Sequence, residues 1–290
     1  MNCYPSTVKE TLTSLINEIS ASPALFVRNP EKDFTRNRKL PFGTVIHLLI
    51  SMGGNSIAKE LLEAQDYDLD TATSFAFVQQ RGKILPCVFE FILHEFSQSQ
   101  PMAKRHRGYR LLAVDGSSVP IATDHKDADS YTNTNPGIPG SRGHNMLHLN
   151  VLFDLCNKAY TDAIVQPLRL QNEKKAVVDM IDRSRIDGKV ILIGDRGYES
   201  YNIFAHAERK GWNFLIRVRD VGKQGILAGL RLPPEQEFDV CVNRILTRKQ
   251  TKDVKSNPDI YRFMQTIRLS ISLIRTRILS IQFLFGSFAL

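Results

Sequence analysis

The apolar positions of the chain change their period once. Across residues 7–96 they recur every three or four places, with Leu12, Leu15, Ile16 and Ile19 as the first stripe. That spacing predicts helices with one buried face. Phe42 to Met52 predicts a buried helix closed by the Gly53-Gly54 pair. Ser56 to Ala64 and Thr73 to Gly82 predict two short helices. Ile84 to Phe96 predicts another, with Pro86 in its first turn, where a missing N–H costs nothing. Ser97 to Gly108 is polar and carries Lys104, Arg105, His106 and Arg107. It reads as a linker, so residues 1–100 form an N-terminal helical domain.

Beyond the linker, short apolar runs replace the helical period. Arg110 to Val114 predicts a strand running into Asp115, and a Gly-, Pro-, Asn- and Asp-rich loop follows from Asp124 to Gly143. His148 to Leu155 and Ala159 to Val165 predict strands on either side of the turn Cys156-Asn157-Lys158. Glu173 to Arg185 predicts an amphipathic helix with Val177, Met180 and Ile181 on one face. Val190 to Ile193 is an unbroken aliphatic run, expected to be a strand buried on both faces. Ser200 to Lys210 predicts a helix and Asn213 to Val218 a strand. Three strands, helix, strand, helix, strand is the order of an RNase H-like mixed sheet flanked by helices. The fold class is therefore α/β, with the sheet domain over residues 108–260, incomplete at its C-terminal end.

In that layout the first strand and the strand after the crossover helix lie side by side. Asp115 ends the first and Asp195, after Gly194, ends the other. Two carboxylates in one place repel unless a cation lies between them, and hard oxygen ligands suit magnesium or manganese. The competing reading of Asp195 is a turn or helix cap, which aspartate also favours.

The charge balance narrows the partners. Lys and Arg number 38 against 30 Asp and Glu, a net +8, which favours a polyanionic partner. Cys3, Cys87, Cys156 and Cys241 form no C-x-x-C pair, so no zinc knuckle or redox motif is written, and they read as free thiols of a reducing cytoplasm. The N-terminus lacks a signal-peptide pattern. The apolar segment Ile278 to Leu290 is too short to span a bilayer, so no membrane partner is expected. No P-loop, dinucleotide fingerprint or G-x-S-x-G elbow is present.

Weaker constellations read as structural. His144 and His148 have H-x-x-x-H spacing, but His148 begins a strand, which would point the two rings differently. Asp124, Asp127 and Asp129 lack the glycine and terminal glutamate of a calcium loop. Lys104, Arg105 and Arg107 suit phosphate contacts or a solvated linker equally. Trp212 reads as core.

LLAVDGSSVP around Asp115, GHNMLHLNVLFDL, VILIGDRGYES around Asp195, and FLIRVRD together resemble the IS4-type DDE transposases of bacterial insertion sequences, as does DFTRNRKLPFGTVIHLLI. The similarity covers roughly residues 30–220. It implies metal-dependent DNA strand cleavage and strand transfer, a two-ion Mg2+ (or Mn2+) site, and Asp115 and Asp195 as catalytic metal ligands. It further implies double-stranded DNA as partner, both insertion-sequence ends and target, with a homodimer allowed, and a cytoplasmic, nucleoid-associated location. That family carries a third carboxylate in a Tyr-x-x-Arg-x-x-x-Glu pattern, which this chain lacks. Beyond residue 199 the glutamates are Glu208, Glu235 and Glu237, none with those partners, so no third carboxylate is assigned. The resemblance thus leaves an impaired transposase, a catalytically dead DNA-binding remnant that inhibits an intact enzyme, or a nuclease completed by Glu208.

Residues 261–290 form an atypical tail. No acid follows Asp259, and from Ile267 onward about half the residues are Leu, Ser or Arg, the composition of an out-of-frame translation. The frame change is expected near Met264 to Ile267. The alternative is a terminal helix, with Ile271, Ile274, Ile278 and Ile281 on its buried face.

Overall fold

The structure is a computed structural model. It describes residues 4–36, 38–100, 103–133, 135, 137–138, 140, 142–218, 225–234, 237–245, 252–257, 266–276 and 279–285. The chain divides into two compact units, Met1–Pro101 and Met102–Leu290.

The first unit is helical: α1 (Tyr4–Ala21), α2 (Phe42–Ser51), α3 (Ile57–Ala64), α4 (Ser74–Arg81) and α5 (Cys87–Ser99). Ser56 and Thr73 start α3 and α4 by accepting the backbone N–H groups of Lys59 and Ala76, which satisfies donors a helix start leaves open. Ile16, Val45, Ile46, Leu61, Phe77 and Val88 bury together as its core.

The second unit is built on one mixed sheet. Its elements are β1 (Arg110–Ile121), β2 (Tyr131–Thr132), β3 (His144–Asp154), β4 (Ala159–Pro167), α6 (Glu173–Arg183), β5 (Val190–Gly194), α7 (Tyr201–Arg209), β6 (Asn213–Val218), β7 (Phe238–Ile245), α8 (Lys252–Ser256), β8 (Thr266–Thr276) and β9 (Leu279–Phe285). From β3 the order runs β3-β1-β5-β6-β9-β8-β7, with β2 and β4 both pairing β3. β1 pairs β5 in parallel, and β5 pairs β6 in parallel. The β3, β4 and β7–β9 pairings are antiparallel. The first five long strands thus lie in the RNase H-like order β4-β3-β1-β5-β6.

Leu112, Val114, Leu152, Val177, Met180, Ile181, Val190, Leu192 and Phe214 form the core of this unit. Phe204 of α7 stacks on Phe214 of β6 with centroids 4.3 Å apart. Polar contacts fix the helices. Arg183 Nε donates to Asp162 Oδ2 on β4 at 2.8 Å, and the fully buried His206 of α7 meets Asp182 of α6 at 2.8 Å.

Three details depart from the expectations. β1 does not stop at Val114 but continues to Ile121, because β3 pairs its far edge throughout. In β5, Val190 and Leu192 are buried while Ile191 and Ile193 are half-buried, so one face of that strand is the tighter one. The described tail residues, Thr266–Thr276 and Leu279–Phe285, are strands and not a helix. In β8, Ile267, Leu269 and Ile271 are buried and Arg268 is exposed, the two-residue alternation of a strand. Cys3, Glu235, Met264 and Ile278 lie outside the described residues.

Candidate active site

The β1–β5 register places the two predicted aspartates level with each other. The parallel pairing ends at Ala113↔Ile193, and Asp115 and Asp195 each follow two residues later. The chains then part. β5 ends at Gly194, whereas β1 runs on against β3 with Asp115 opposite Val151. Asp115 is therefore a mid-strand residue whose β5-side edge has been freed, while Asp195 lies just beyond a strand end.

Each aspartate commits one oxygen to nearby backbone. Asp115 Oδ1 accepts the Gly116 N–H at 2.9 Å. Asp195 Oδ1 accepts the Gly197 N–H at 2.7 Å, capping the short turn Arg196–Tyr198. The cap reading of Asp195 holds, and the bond that caps the turn also fixes one carboxylate oxygen. Both aspartates are exposed.

Tyr198 is buried behind them at 2 % exposure. Burial raises its phenol above the ordinary range, and the charges of Glu173, Asp115 and Asp195 push it the same way. Three carboxylates therefore act on one buried ring.

Glu173, the first residue of α6, carries no signal of function in the sequence. An acid in the first turn of a helix is ordinary complementation of the helix dipole. Its surroundings do mark it. Glu173 Oε1 stands 3.0 Å from Nε2 of the buried His148 on β3, and His148 Nδ1 lies 3.3 Å from Ser118 Oγ on β1. Two glycines leave the space. A Cβ at Gly116 would lie 2.6 Å from His148 Nε2 and 3.1 Å from Glu173 Oε1. A Cβ at Gly197 would lie 3.0 Å from Asp195 Oδ1 and 4.0 Å from Glu173 Oε2. The start of α6 is anchored in turn. Asn172 caps it by accepting the Lys175 N–H at 3.0 Å and donates its own N–H to Gln166 Oε1 at 2.9 Å. Asn150 Nδ2, on β3 opposite Gly116, donates to the same Gln166 oxygen at 3.2 Å.

Among the described residues no three His, Cys, Asp or Glu side chains converge closely enough to hold an ion as they stand. The donor set nevertheless fits a hard divalent cation. Asp115 and Asp195 offer carboxylate oxygens from adjacent strands, the type of ligand magnesium and manganese take. The buried Asn150 Oδ1 and His148 Nε2 lack a hydrogen-bond partner of acceptable geometry.

The other constellations stay structural. Glu208 is exposed near the end of α7, about 10 Å along the helix from its start, and is not among the charges that raise Tyr198. Glu237 is exposed just before β7. His144 and His148 share β3. Four residues apart, they share a face but stand about 13 Å from each other along it. Distance, not ring direction, separates them. Asp127 is held below its ordinary range chiefly by the Ser130 hydroxyl, and Asp124 accepts the Lys126 N–H at 2.9 Å, so this loop uses its acids to make turns. Lys104 exchanges backbone hydrogen bonds with the Asn157 side chain. Trp212 is buried.

The mixed sheet thus carries Asp115 on β1 and Asp195 just past the end of its parallel neighbour β5. Residues 106–269, more than half the chain, match the family model for the transposase DDE domain, and the chain belongs to that family. No curated protein matches it. Among solved structures, the piggyBac transposase in a synaptic complex with hairpin DNA aligns with 84% of this chain at 10% identity and a TM-score of 0.41. The alignment covers 50% of that transposase, so the chain spans half its length.

Proposed function

We propose that the protein is a DNA transposase of the IS4 type, acting by metal-dependent strand cleavage and strand transfer. The observation that carries this reading is the level placement of Asp115 and Asp195 inside the family match. These two residues would hold Mg2+ or Mn2+, in the two-ion arrangement that the family resemblance implies. Bound there, the metal would lower the pKa of the attacking hydroxyl and stabilise the leaving oxygen. The chain's own part is rigidity. The backbone bonds from Gly116 and Gly197 hold one oxygen of each aspartate and leave the second for the ion.

The partner would be double-stranded DNA, both the element's ends and its target, bound by a homodimer at the nucleoid. The helical unit offers a surface for it, a cleft lined by Lys32, Arg36, Arg38 and Lys83, with Glu31 beside them. Cationic side chains at one cleft suit a phosphate backbone.

A second reading has its own observation. The Tyr-x-x-Arg-x-x-x-Glu pattern is missing from the sequence, so the chain would bind DNA without cutting it and would inhibit an intact transposase. For the tail we retain an out-of-frame origin and move its start. The family match runs to Leu269, so the change of frame would fall after that residue.

Nicking of DNA carrying the element's ends, with Mg2+, tests the catalytic reading. Asp115→Asn and Asp195→Asn should each lower the rate by at least about a hundredfold, with the thermal midpoint unmoved; losing a group that acts on the reacting phosphate costs several kcal/mol of barrier. Full activity in either variant removes that residue from the site. A wild-type chain that binds the DNA and never nicks it favours the inhibitor.

A further inference from the structure

We propose that the helical unit holds one unpaired nucleotide, seated in two adjoining cavities that share Gln80. The inference rests on the DNA-binding reading above and deepens it, from a cationic surface to a pocket for a single base and its phosphate.

The first cavity is the cleft already described, of about 410 Å³. The second, of about 480 Å³, lies beside the first turn of α4, with Thr73 and Ala76 in its wall. Both are lined by Arg38, Leu40, Gln80 and Lys83. Cavities of this size suit a small organic ligand.

Gln80 carries the observation that points to a ligand. It is 8 % exposed, and its Oε1 accepts from Lys83 Nζ at 2.7 Å. An ammonium group only donates, so the amide is fixed with its oxygen toward Lys83 and its NH2 turned away. Among the described residues nothing accepts from that NH2. Unused donors on a buried amide cost free energy until a partner arrives. A base offers such partners, as carbonyl oxygens or ring nitrogens.

The surroundings supply the rest of a nucleotide site. Lys39 is paired with Asp70, whereas the exposed Arg38 meets no acid among the described residues. Its guanidinium suits a phosphate. Lys83 is half-buried, held by Gln80 and set over the Phe34 ring 5.7 Å from its centroid, so its charge is fixed beside both cavities. Glu31 borders the first cavity, and no acid is among the described residues lining the second. Leu40 and Ala72, both buried, give the second an apolar floor. A bare phosphate needs neither that floor nor the amide. A base stacked and paired in a duplex cannot reach a buried amide. An unpaired nucleotide uses the floor, the amide and the cations together. It comes from a single-stranded stretch of DNA or from a free nucleotide, and the chemistry is the same.

Fluorescence anisotropy of the full chain with a labelled short oligo-thymidylate and a labelled duplex tests this, with dTMP and inorganic phosphate as competitors; dTMP is also titrated directly by calorimetry. The wild type should bind the single strand, and dTMP should displace it where an equal concentration of phosphate does not. Gln80→Leu removes the donors and keeps an apolar bulk. It should weaken single-strand binding by about tenfold, the scale of one hydrogen bond to a buried group, and duplex binding by less than about threefold. Thermal midpoints are recorded; should Gln80→Leu fail to fold, Gln80→Glu, which keeps the shape and turns the donors into an acceptor, takes its place with the same expectation. Binding of dTMP without binding of the oligo-thymidylate assigns the free nucleotide as the source and supports the pocket. Displacement by phosphate as readily as by dTMP, or wild-type single-strand affinity in the Gln80 variant, overturns it. Duplex binding by a wild type that takes neither dTMP nor the single strand overturns the pocket and leaves the DNA surface standing. Binding of dTMP with no binding of duplex removes the DNA surface instead and supports the pocket.

Discussion

The two units of the molecule treat their polar groups in opposite ways. Among the described residues, the helical unit buries Asp33 and Gln80. The sheet unit buries Ser130, Asn145, His148, Asn150, Asp154, Thr161, Asp162 and His206. Burying a polar group costs free energy unless it finds a partner, so such a cluster must do something that apolar packing cannot. In the sheet unit the buried groups hold elements in place around the site. Asp162 holds the end of α6, Asn150 and Gln166 hold its start, and His148 faces Glu173. Among the described residues of the helical unit Asp33 is the only charged side chain that is buried, and the rest of its buried core is apolar but for Gln80. One unit is organised to position a few atoms, the other to offer a surface.

The largest test of that contrast concerns the sheet. Truncation after Met264 removes Ile267, Leu269 and Ile271, each buried at 3 % exposure or less. At about 1.5–3 kcal/mol per large apolar side chain, and roughly 2–4 °C per kcal/mol for a chain of this size, the thermal midpoint should fall by about ten degrees or more. Truncation after Ile271 should move it far less if the remaining tail is out of frame. Equal losses from the two truncations would return the whole tail to the fold; no loss from either would put the change of frame back before Ile267.

Gly116→Ala comes next. Its Cβ would sit 2.6 Å from the buried His148 Nε2, and overpacking of this kind costs about 1–3 kcal/mol. Calorimetry should show a midpoint lower by several degrees, and Mn2+ affinity should fall with it. A neutral result would mean that the His148–Glu173 arrangement is loose and that the sheet unit is less exacting than its buried polar groups suggest.

The helical unit should respond differently. Arg36→Ala and Arg38→Ala remove exposed cleft residues, so stability should be unchanged. The slope of log DNA affinity against log salt should become shallower by about one for each phosphate that the variant no longer neutralises. Fluorescence anisotropy across a salt series reads this, and an unaltered slope would take the cleft out of DNA binding.

The smallest effect is a matter of pH. Tyr198 is neutral when protonated, and its folded pKa is raised above the ordinary value of 10.0, first by burial and then by Glu173, Asp115 and Asp195. Folding therefore holds that proton more tightly than the unfolded chain does. The contribution is fully present below pH 10.0 and is lost as pH rises beyond it. Denaturation midpoints should decline above that pH, and Tyr198→Phe should flatten the decline. An identical decline in the variant would assign it to other groups.

Much of this protein is determined by local pattern. The stripe at Ile16 and Ile19, the caps at Ser56 and Thr73, and the aliphatic run Val190 to Ile193 each satisfy a rule of period or capping within a few residues, so the sequence determined the elements and their order. The order implied which strands are neighbours, and so that Asp115 and Asp195 each follow a strand of one parallel pair by two residues. The tertiary structure alone decided the rest. β1 could reach Ile121 only because β3, some thirty residues away in sequence, supplies a partner for every position from Leu112 onward. The tail could be read as helix or strand from its apolar spacing, and only the pairing of β8 with β7 and β9 selects the strand. Glu173 carries no local mark, because an acid at a helix start is ordinary. Its place beside Gly116, His148 and Gly197 arises where β1, β3, α6 and the turn after β5 come together, a convergence that no single stretch of sequence encodes.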